Sequence, residues 1–441
     1  MSTELLQSIQ EAGVVGAGGA GFPTHVKLAA QADTLIVNAC ECEPLIRVDQ
    51  QLLVSHTDEF LGGLKVAQQL TGAKETKIAL KAKHREAVRA LRAASASLEQ
   101  VEVVEIGDYY PAGDEQILVY DVLGKVVPRG GIPLAVGCVV HNVETIINVA
   151  RAVEQQPVTT TFVTITGAVA TPATCELPIG MSYQEAIGLC GTTDLSHRAI
   201  IDGGPMMGKL VTESTLPITK TTKAILVLDE DKRSVLTASM TEGQILRRAK
   251  AACEQCQKCT DLCPRDLLGH DVKPHLAMRI ASYGISDFGG MKRSLGCSEC
   301  GACDLYACPA GLSPKRINML VKKQLAEAGI KNDSDKTDYT PHPMFAYRKI
   351  PVKRLIARLG LGIYDRPAVL TETTYVPEQV TLLLKQHVGA PATPVVQTGD
   401  AVKRGDVVGR MTDNKLGAAV HASIDGTVTA VSDTAIVLKR S

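Results

Sequence analysis

A chain of 441 residues holds about three domains by the usual relation of length to domain count, and its 45% hydrophobic content is enough to fill several cores. Its 47 basic and 47 acidic side chains cancel, so neither a nucleic-acid footprint nor a preference for acidic partners is indicated. No run reaches the roughly 18 consecutive apolar residues of a membrane span, and the opening MSTELLQSIQEAG reads as a polar amphipathic helix rather than a signal peptide.

Residues 13–27 read GVVGAGGAGFPTHVK. Gly16, Gly18 and Gly21 satisfy G-x-G-x-x-G literally, but a dinucleotide fingerprint needs a strand before the loop and a helix opening directly from it. Here a polar helical segment precedes the loop, and Phe22-Pro23 interrupts the chain directly after it. Pro23 can start a short helix over PTHVKLAAQ, which would place backbone N–H groups and the Lys27 cation where a phosphate could be held. TLIVNA (34–39) then reads as a buried strand ending in the acidic turn Cys40-Glu41-Cys42-Glu43-Pro44. Tyr109-Tyr110-Pro111-Ala112-Gly113-Asp114-Glu115 puts two carboxylates at the start of the helix EQILVYDVLG, where simple capping would also place them. His141-Asn142-Val143-Glu144-Thr145 opens another helix, IINVARAV.

From residue 160 the character changes to strand-like runs, one short helix and glycine turns, a small α+β unit up to about residue 235. Its Asp202–Gly208 segment, DGGPMMG, looks functional when read by itself. Cys138, Cys175 and Cys190 stand alone and read as buried small hydrophobes. The remaining cysteine pattern is the strongest signal in the chain. Cys253, Cys256, Cys259 and Cys263 precede Pro264, and Cys297, Cys300, Cys303 and Cys308 precede Pro309. Two C-x-x-C-x-x-C triplets, each trailed by Cys-Pro, follow the pattern of two [4Fe–4S] clusters, in which the distal cysteine ligates the other cluster. That assigns Cys253, Cys256, Cys259 and Cys308 to one cluster, and Cys297, Cys300, Cys303 and Cys263 to the other. Zinc sites and disulfides are the rival readings, but zinc takes cysteine pairs with a longer gap between them. The second run has one extra residue before its last cysteine (304–307), expected to lengthen a turn without losing a ligand. Reduced thiolates of this kind fit a cytoplasmic setting. Residues 331–375 are basic and looser, and 376–441 read as strand and turn throughout.

GAGGAGFPTHVK, NACECEP with Asp49 behind it, YPAGDE and HNVET occur in that order. They resemble the flavin and NADH site of the NADH-binding subunit of respiratory complex I, and more closely the C-type subunit of Rnf ferredoxin:NAD oxidoreductases. Over the full chain the resemblance is to the cobalamin reductases of bacterial propanediol-utilization microcompartments. It implies a multidomain α/β chain: a Rossmann-like FMN/NADH-binding domain (1–155), an SLBB β-grasp domain (156–240), a helical two-[4Fe–4S] ferredoxin-like domain (241–330), a basic linker (331–375) and a C-terminal barrel-sandwich hybrid of the biotinyl/lipoyl type (376–441). For Asp202–Gly208 the resemblance implies a segment that mostly connects strands. Lys415 lacks the flanking residues of a lipoyl or biotinyl lysine. Rnf C-type subunits carry the barrel-sandwich module at the N-terminus, which favours the cobalamin reductases.

The resemblance further implies FMN held non-covalently, with Gly16, Gly18, Gly19, Gly21 and Lys27 on its phosphate side and Asn38, Glu41 and Glu43 along the ring and ribityl chain. Gly113, Asp114 and Glu115 would close over flavin and nicotinamide, Asn142 and Thr145 would anchor the phosphate end, and Phe22 and Tyr110 would contact NADH. Glu43 and Glu115 would orient the reacting rings. Lys27 is followed by Leu28-Ala29-Ala30, whereas the complex I subunit has an aromatic there that stacks adenine. The implied activity is electron transfer from NADH through FMN and two clusters to cob(III)alamin or cob(II)alamin. Its product, cob(I)alamin, would supply a corrinoid adenosyltransferase in 1,2-propanediol utilization, with microcompartment shell proteins as neighbours. The alternative is an Rnf C-type electron-transfer subunit. None of the ten histidines lies in the corrinoid-binding pattern Asp-x-His-x-x-Gly.

Overall fold

The computed structural model describes residues 2–284, 288–332, 338–372, 375–411 and 415–441, so 333–337 and 373–374 of the expected linker lie outside the described residues. The apolar run TLIVNA forms β1 (Thr34–Ala39). It is joined by β2 (Glu75–Lys81) and β3 (Val101–Ile106); after the short β4 (Tyr109–Tyr110), which stands outside this sheet, comes β5 (Cys138–Asn142). The sheet order is β3-β2-β1-β5 with every pair parallel. Successive side chains of a strand face opposite sides, and β1 obeys this: Leu35, Val37 and Ala39 enter one apolar core, Ile36 another. A parallel sheet covered on both faces leaves its strand ends as the place for a ligand. The carboxyl ends of β1 and β5 lead into the acidic turn and into Asn142.

The second module is a mixed sheet of β6 (Thr160–Gly167), β7 (Ala173–Pro178), β8 (Arg198–Asp202), β9 (Lys209–Val211) and β10 (Ala224–Asp229). Its helix Tyr183–Gly188 starts at a reciprocal cap between Ser182 and Glu185. The cysteine runs lie among helices Glu242–Ala252, Pro274–Tyr283 and Pro314–Glu327, whose Ile245, Ala249, Ala277, Met278 and Ile317 share one core.

Residues 331–375, expected as a basic linker, are tied in at three places among the described residues. β11 (Ile350–Pro351) pairs antiparallel with β4; Leu355, Leu359 and Leu361, in and just after helix Val352–Leu359, are buried; and β12 (Val369–Thr371) adds a parallel edge to β7. The physical reason is that the basic residues occupy only the outer face, while the intervening apolar residues complete a core built by the second module and the cluster region. The C-terminal module packs two small sheets. One has the order β13 (Gln379–Leu383), β19 (Ala435–Arg440), β18 (Gly426–Val431), β15 (Ala401–Val402); the other is β14 (Thr393–Pro394), β16 (Val407–Arg410), β17 (Val420–His421). Its Val380, Leu382 and Val408 share a core with Ile9, Val14 and Leu64 of the first module.

Candidate cofactor and electron-transfer site

The glycine loop is not preceded by a strand. Helix Ser2–Glu11 comes before it, and the loop is closed by a bridge between Val15 and Pro23 and by the Gly16 N–H donating to Phe22 O at 2.9 Å. The helix after the loop is only Thr24–Leu28, with Pro23 as its N-cap. Gly21 has φ +69°, and a Cβ there would lie 2.8 Å from Thr221 Cγ2 and 3.1 Å from His387 Cβ. The loop is thus braced from below by the second and C-terminal modules. On the other side a Cβ at Gly19 would meet nothing within 4 Å. Gly18 lies against the Asn142 side chain, and Ala17 N–H donates to Thr145 Oγ1 at 2.9 Å. These contacts hold the loop over the N-terminus of helix Val143–Val153, whose cap is Asn142. An open glycine backbone, a helix N-terminus and the nearby Lys27 fit a phosphate.

The acidic segments interlock. Lys27 Nζ pairs with Glu115 Oε1 at 2.8 Å, and Asn38 Nδ2 donates to Gly113 O at 2.9 Å. Glu41 Oε1 accepts from Val48 N–H at 2.9 Å, while Glu41 Oε2 is buried without a partner and Asp49 Oδ1, also buried, has no hydrogen bond and only the Lys223 ammonium at 3.9 Å, an unmet demand of the kind that cofactor hydroxyls or water supply. Asn142 Nδ2 donates to Asp49 Oδ2 at 2.8 Å, and Lys223 pairs with Glu144 beside it. Burial, then repulsion from Asp49, raises the Glu41 carboxyl above its ordinary range; burial also raises Asp49, against the pull of Lys223 and with added repulsion from Glu144. Glu43 Oε2 accepts from Met206 N–H at 3.0 Å; burial raises this carboxyl to about 7, against the pull of that N–H and of Lys315.

Tyr110 is buried, and its hydroxyl donates to Cys300 O at 2.6 Å with Glu43 Oε1 at 3.5 Å, so it lies between the acidic turn and a cluster cysteine, whereas Phe22 is exposed. Asp114 also reaches the cysteine region. Its Oδ1 caps helix Glu115–Leu123 through Gln116 N–H and Ile117 N–H, and its Oδ2 accepts from Arg265 at 2.9 Å, two residues after Cys263. The sequence reading missed Arg265 and Lys223. Neither carries a local pattern, and each meets its partner only through the tertiary fold.

The eight cysteines fall into the two crossed sets. Cys308 stands with Cys253, Cys256 and Cys259 around one small cavity, and Cys263 lies near Cys297, Cys300 and Cys303. In both runs the residues flanking the middle cysteine of the triplet are left-handed: Gln255 and Gln257 (φ +54° and +62°), Glu299 and Gly301 (φ +60° and +75°). That backbone turns N–H groups toward sulfur, as in Glu299 N–H to Cys297 Sγ at 3.4 Å. Leu312 N–H to Cys308 Sγ at 3.3 Å is a further bond of this type. The extra residue of the second run is absorbed as a π-helical turn, Ala302–Ala307, with Cys308 N–H on Cys303 O at 3.1 Å. Burial and neighbouring thiols push Cys259 up to about 12, and burial alone is the chief cause for Cys300, also at about 12. Thiolates so enclosed need cations, which iron supplies. Among the described residues no three His, Cys, Asp or Glu side chains converge as ligands of a single ion do. The donor chemistry and the paired N–H···S turns fit cubane clusters. The set with Cys300 lies against Tyr110 and is inner; the set with the exposed Cys256 is outer.

Known proteins match this architecture module by module. Residues 9–151 match the Nuo51 FMN-binding domain, 162–210 the SLBB domain, 252–313 the 4Fe-4S dicluster domain and 369–441 the RnfC barrel sandwich hybrid domain. The fold also resembles the crystal structure of NAD+-reducing [NiFe]-hydrogenase in the H2-reduced state, with TM-score 0.50 and 21% identity over 76% of this chain and 64% of that one. The protein is therefore an FMN- and iron–sulfur-dependent electron-transfer oxidoreductase. It is 44% identical to cobalamin reductase PduS of Citrobacter freundii over 98% of this chain and 96% of the relative, and 44% identical to that of Salmonella typhimurium over 99% and 96%. The chain belongs to the PduS cobalamin reductase family. The C-type subunit of the Na(+)-translocating ferredoxin:NAD(+) oxidoreductase complex of Acetobacterium woodii is 34% identical, over 58% of this chain and 56% of the relative. Among the described residues no helix is long and apolar enough to cross a membrane.

Proposed function

We propose that the protein takes hydride from NADH and delivers single electrons to cob(III)alamin or cob(II)alamin. It would thereby supply cob(I)alamin to a corrinoid adenosyltransferase, next to microcompartment shell proteins in the cytoplasm. The observation that carries this reading is the continuous bridge from the acidic turn to the inner cysteine set, Glu43–Tyr110–Cys300, in a chain aligned end to end with named cobalamin reductases. FMN and the clusters, when bound, convert a two-electron donor into one-electron steps.

The residues have separable tasks. Gly18, Gly19, Asn142 and Thr145 shape a phosphate cradle. Lys27 and Glu115 hold one another at its rim, so that an anionic dinucleotide meets a cation whose position is already fixed. Asn38 locks Gly113 over the carboxyl end of β1. Glu43, raised to about 7, can hold a proton on Oε1 near neutral pH as well as orient a ring. The Tyr110 hydroxyl and the Asp114–Arg265 pair fix the inner cysteines against this site, keeping the spacing short for electron passage. Phe22, 40% exposed, remains the aromatic offered to NADH.

The test is anaerobic stopped-flow mixing of reconstituted protein with NADH and then cob(II)alamin. Bleaching of flavin and cluster absorbance followed by the cob(I)alamin spectrum is the expected course. Bleaching by NADH with no electron reaching cobalamin, even with an adenosyltransferase present, would remove cobalamin as the acceptor and favour a ferredoxin-coupled role.

A further inference from the structure

An open groove of about 620 Å³ lies on the surface next to the outer cysteine set, lined by Lys258, Asp261, Leu262, Tyr306, Ala307, Arg348, Arg354 and Arg358. Its floor is made of the two segments that join the cluster ligands. Lys258, Asp261 and Leu262 lie between Cys256 and Cys263, and Tyr306 and Ala307 lie between Cys303 and Cys308. Its wall is helix Val352–Leu359, whose Arg354 and Arg358 are four residues apart and exposed on the same face. Like charges at that spacing repel and weaken a helix, so the arrangement costs stability where it stands.

The cations are not used up by the fold. Arg348 is paired with Asp261 at 3.2 Å, the one carboxylate in the lining. Arg358 spends one donor on Cys308 O at 3.2 Å. Among the described residues the Lys258 ammonium and the Arg354 guanidinium have no hydrogen bond or ion pair, and the other donors of the Arg358 guanidinium have none. In a chain of zero net charge, an uncompensated cluster of cations over the ligand segments of the outer cysteine set is a local departure.

We infer that this groove is the electron exit, and that its occupant is a corrinoid bearing a nucleotide tail, gripped through its phosphodiester by Lys258, Arg354 and Arg358. The inference rests on the reductase reading above and adds where the acceptor sits. Two features select this occupant. Leu262, Ala307 and Tyr306 give the floor an apolar part that a macrocycle edge can cover. An acceptor that takes an electron becomes more negative by one charge, so a cationic groove binds the product of the transfer more tightly than the starting form and favours the step. The balance is one NADH and two cob(II)alamin giving NAD+, one proton and two cob(I)alamin, with no further reductant.

The test is equilibrium dialysis of cob(II)alamin and of cobinamide, which lacks the phosphodiester, against anaerobic holoprotein with its flavin and cluster content verified. Wild type is expected to bind cobalamin about tenfold or more tightly than cobinamide, the worth of one or two charge-assisted hydrogen bonds. The double variant Lys258→Glu/Arg354→Glu should lose that preference, the milder Arg354→Gln should lose part of it, and Lys353→Glu, a charge reversal on the same helix outside the groove, should keep it. Equal cobalamin binding by wild type and double variant overturns the site. So does absence of corrinoid binding to wild type, which points to an acidic protein partner instead. NADH-driven reduction separates the two readings. If wild type binds cobalamin through the groove but never reduces it, the reductase assignment falls and the groove stands. If the double variant reduces cobalamin as fast as wild type, the groove falls and the reductase stands.

Discussion

Asp114 shows how one side chain joins two modules. One oxygen caps a helix; the other pairs with Arg265, which is buried next to the cysteine run and whose Nε has no partner of its own. Losing a cap costs about 1 kcal/mol, and stranding a buried charge costs about 3–5 kcal/mol. Asp114→Ala is therefore expected to destabilise the holoprotein by about 4 kcal/mol, while Asp114→Asn, which can still accept from Gln116 and Ile117, should lose less. Denaturant titration followed by cluster absorbance should give midpoints in the order wild type, Asn, Ala. Equal midpoints for Asn and wild type would mean that the ion pair contributes nothing. Asp114 was legible in the sequence as part of YPAGDE, but Arg265 was not. The two are 151 residues apart, and an arginine after Cys-Pro has no pattern to mark its partner.

At the scale of elements, the Asp202–Gly208 connection does more than join β8 to β9. Its Met206 N–H holds Glu43, its Met206 carbonyl accepts from Lys315 at 3.2 Å, and a Cβ on Gly204 would collide with the Glu43 carboxylate. A methyl group forced into such a contact costs about 1–3 kcal/mol or displaces the loop. Gly204→Ala should leave the phosphate cradle intact, because it moves Glu43 and not the glycine loop, yet slow NADH-driven bleaching of the clusters by about tenfold or more; unchanged bleaching would show that the loop only connects strands. What could be read beforehand depends on range. TLIVNA, the capped helices and the one-residue surplus before Cys308 are local patterns, and each has a local structural outcome, the last a π-turn. β11 and β12 have two and three residues and exist only because β4 and β7 present free edges to them. Nothing in two residues of sequence specifies such a pairing, so the stretch around them read as a linker.

The whole molecule is pinned at one buried lysine. Lys220, in the second module, donates from Nζ to Gly13 O of the first module at 2.7 Å and to Ala419 O of the C-terminal module at 2.8 Å. Both bonds survive loss of a proton, because a neutral amine still has two hydrogens to donate. Burial pushes this lysine down to about 7, whereas in the unfolded chain it stays protonated to about 10.4. Between those values the unfolded chain binds more protons than the folded one, so stability from this group rises from pH 7 toward pH 10 and is lost as pH falls through that window. Two histidines face the same junction. Burial, then the Lys220 charge, lowers His421 to about 3, and burial is the chief cause of the lowering at His387, so both act in the same sense below about pH 6.5. Lys220→Met removes the titrating group and leaves two carbonyls without their donor, a loss of about 1–3 kcal/mol for each. The melting temperature of wild-type holoprotein minus that of the variant should therefore be positive at neutral pH and grow steadily toward pH 10, a range in which the two histidines coupled to Lys220 are largely neutral in folded and unfolded chain alike. A difference that stays constant across that window would mean that Lys220 is charged in the folded protein. The junction would then be held by an ammonium ion, and acid would not loosen the C-terminal module from beneath the glycine loop.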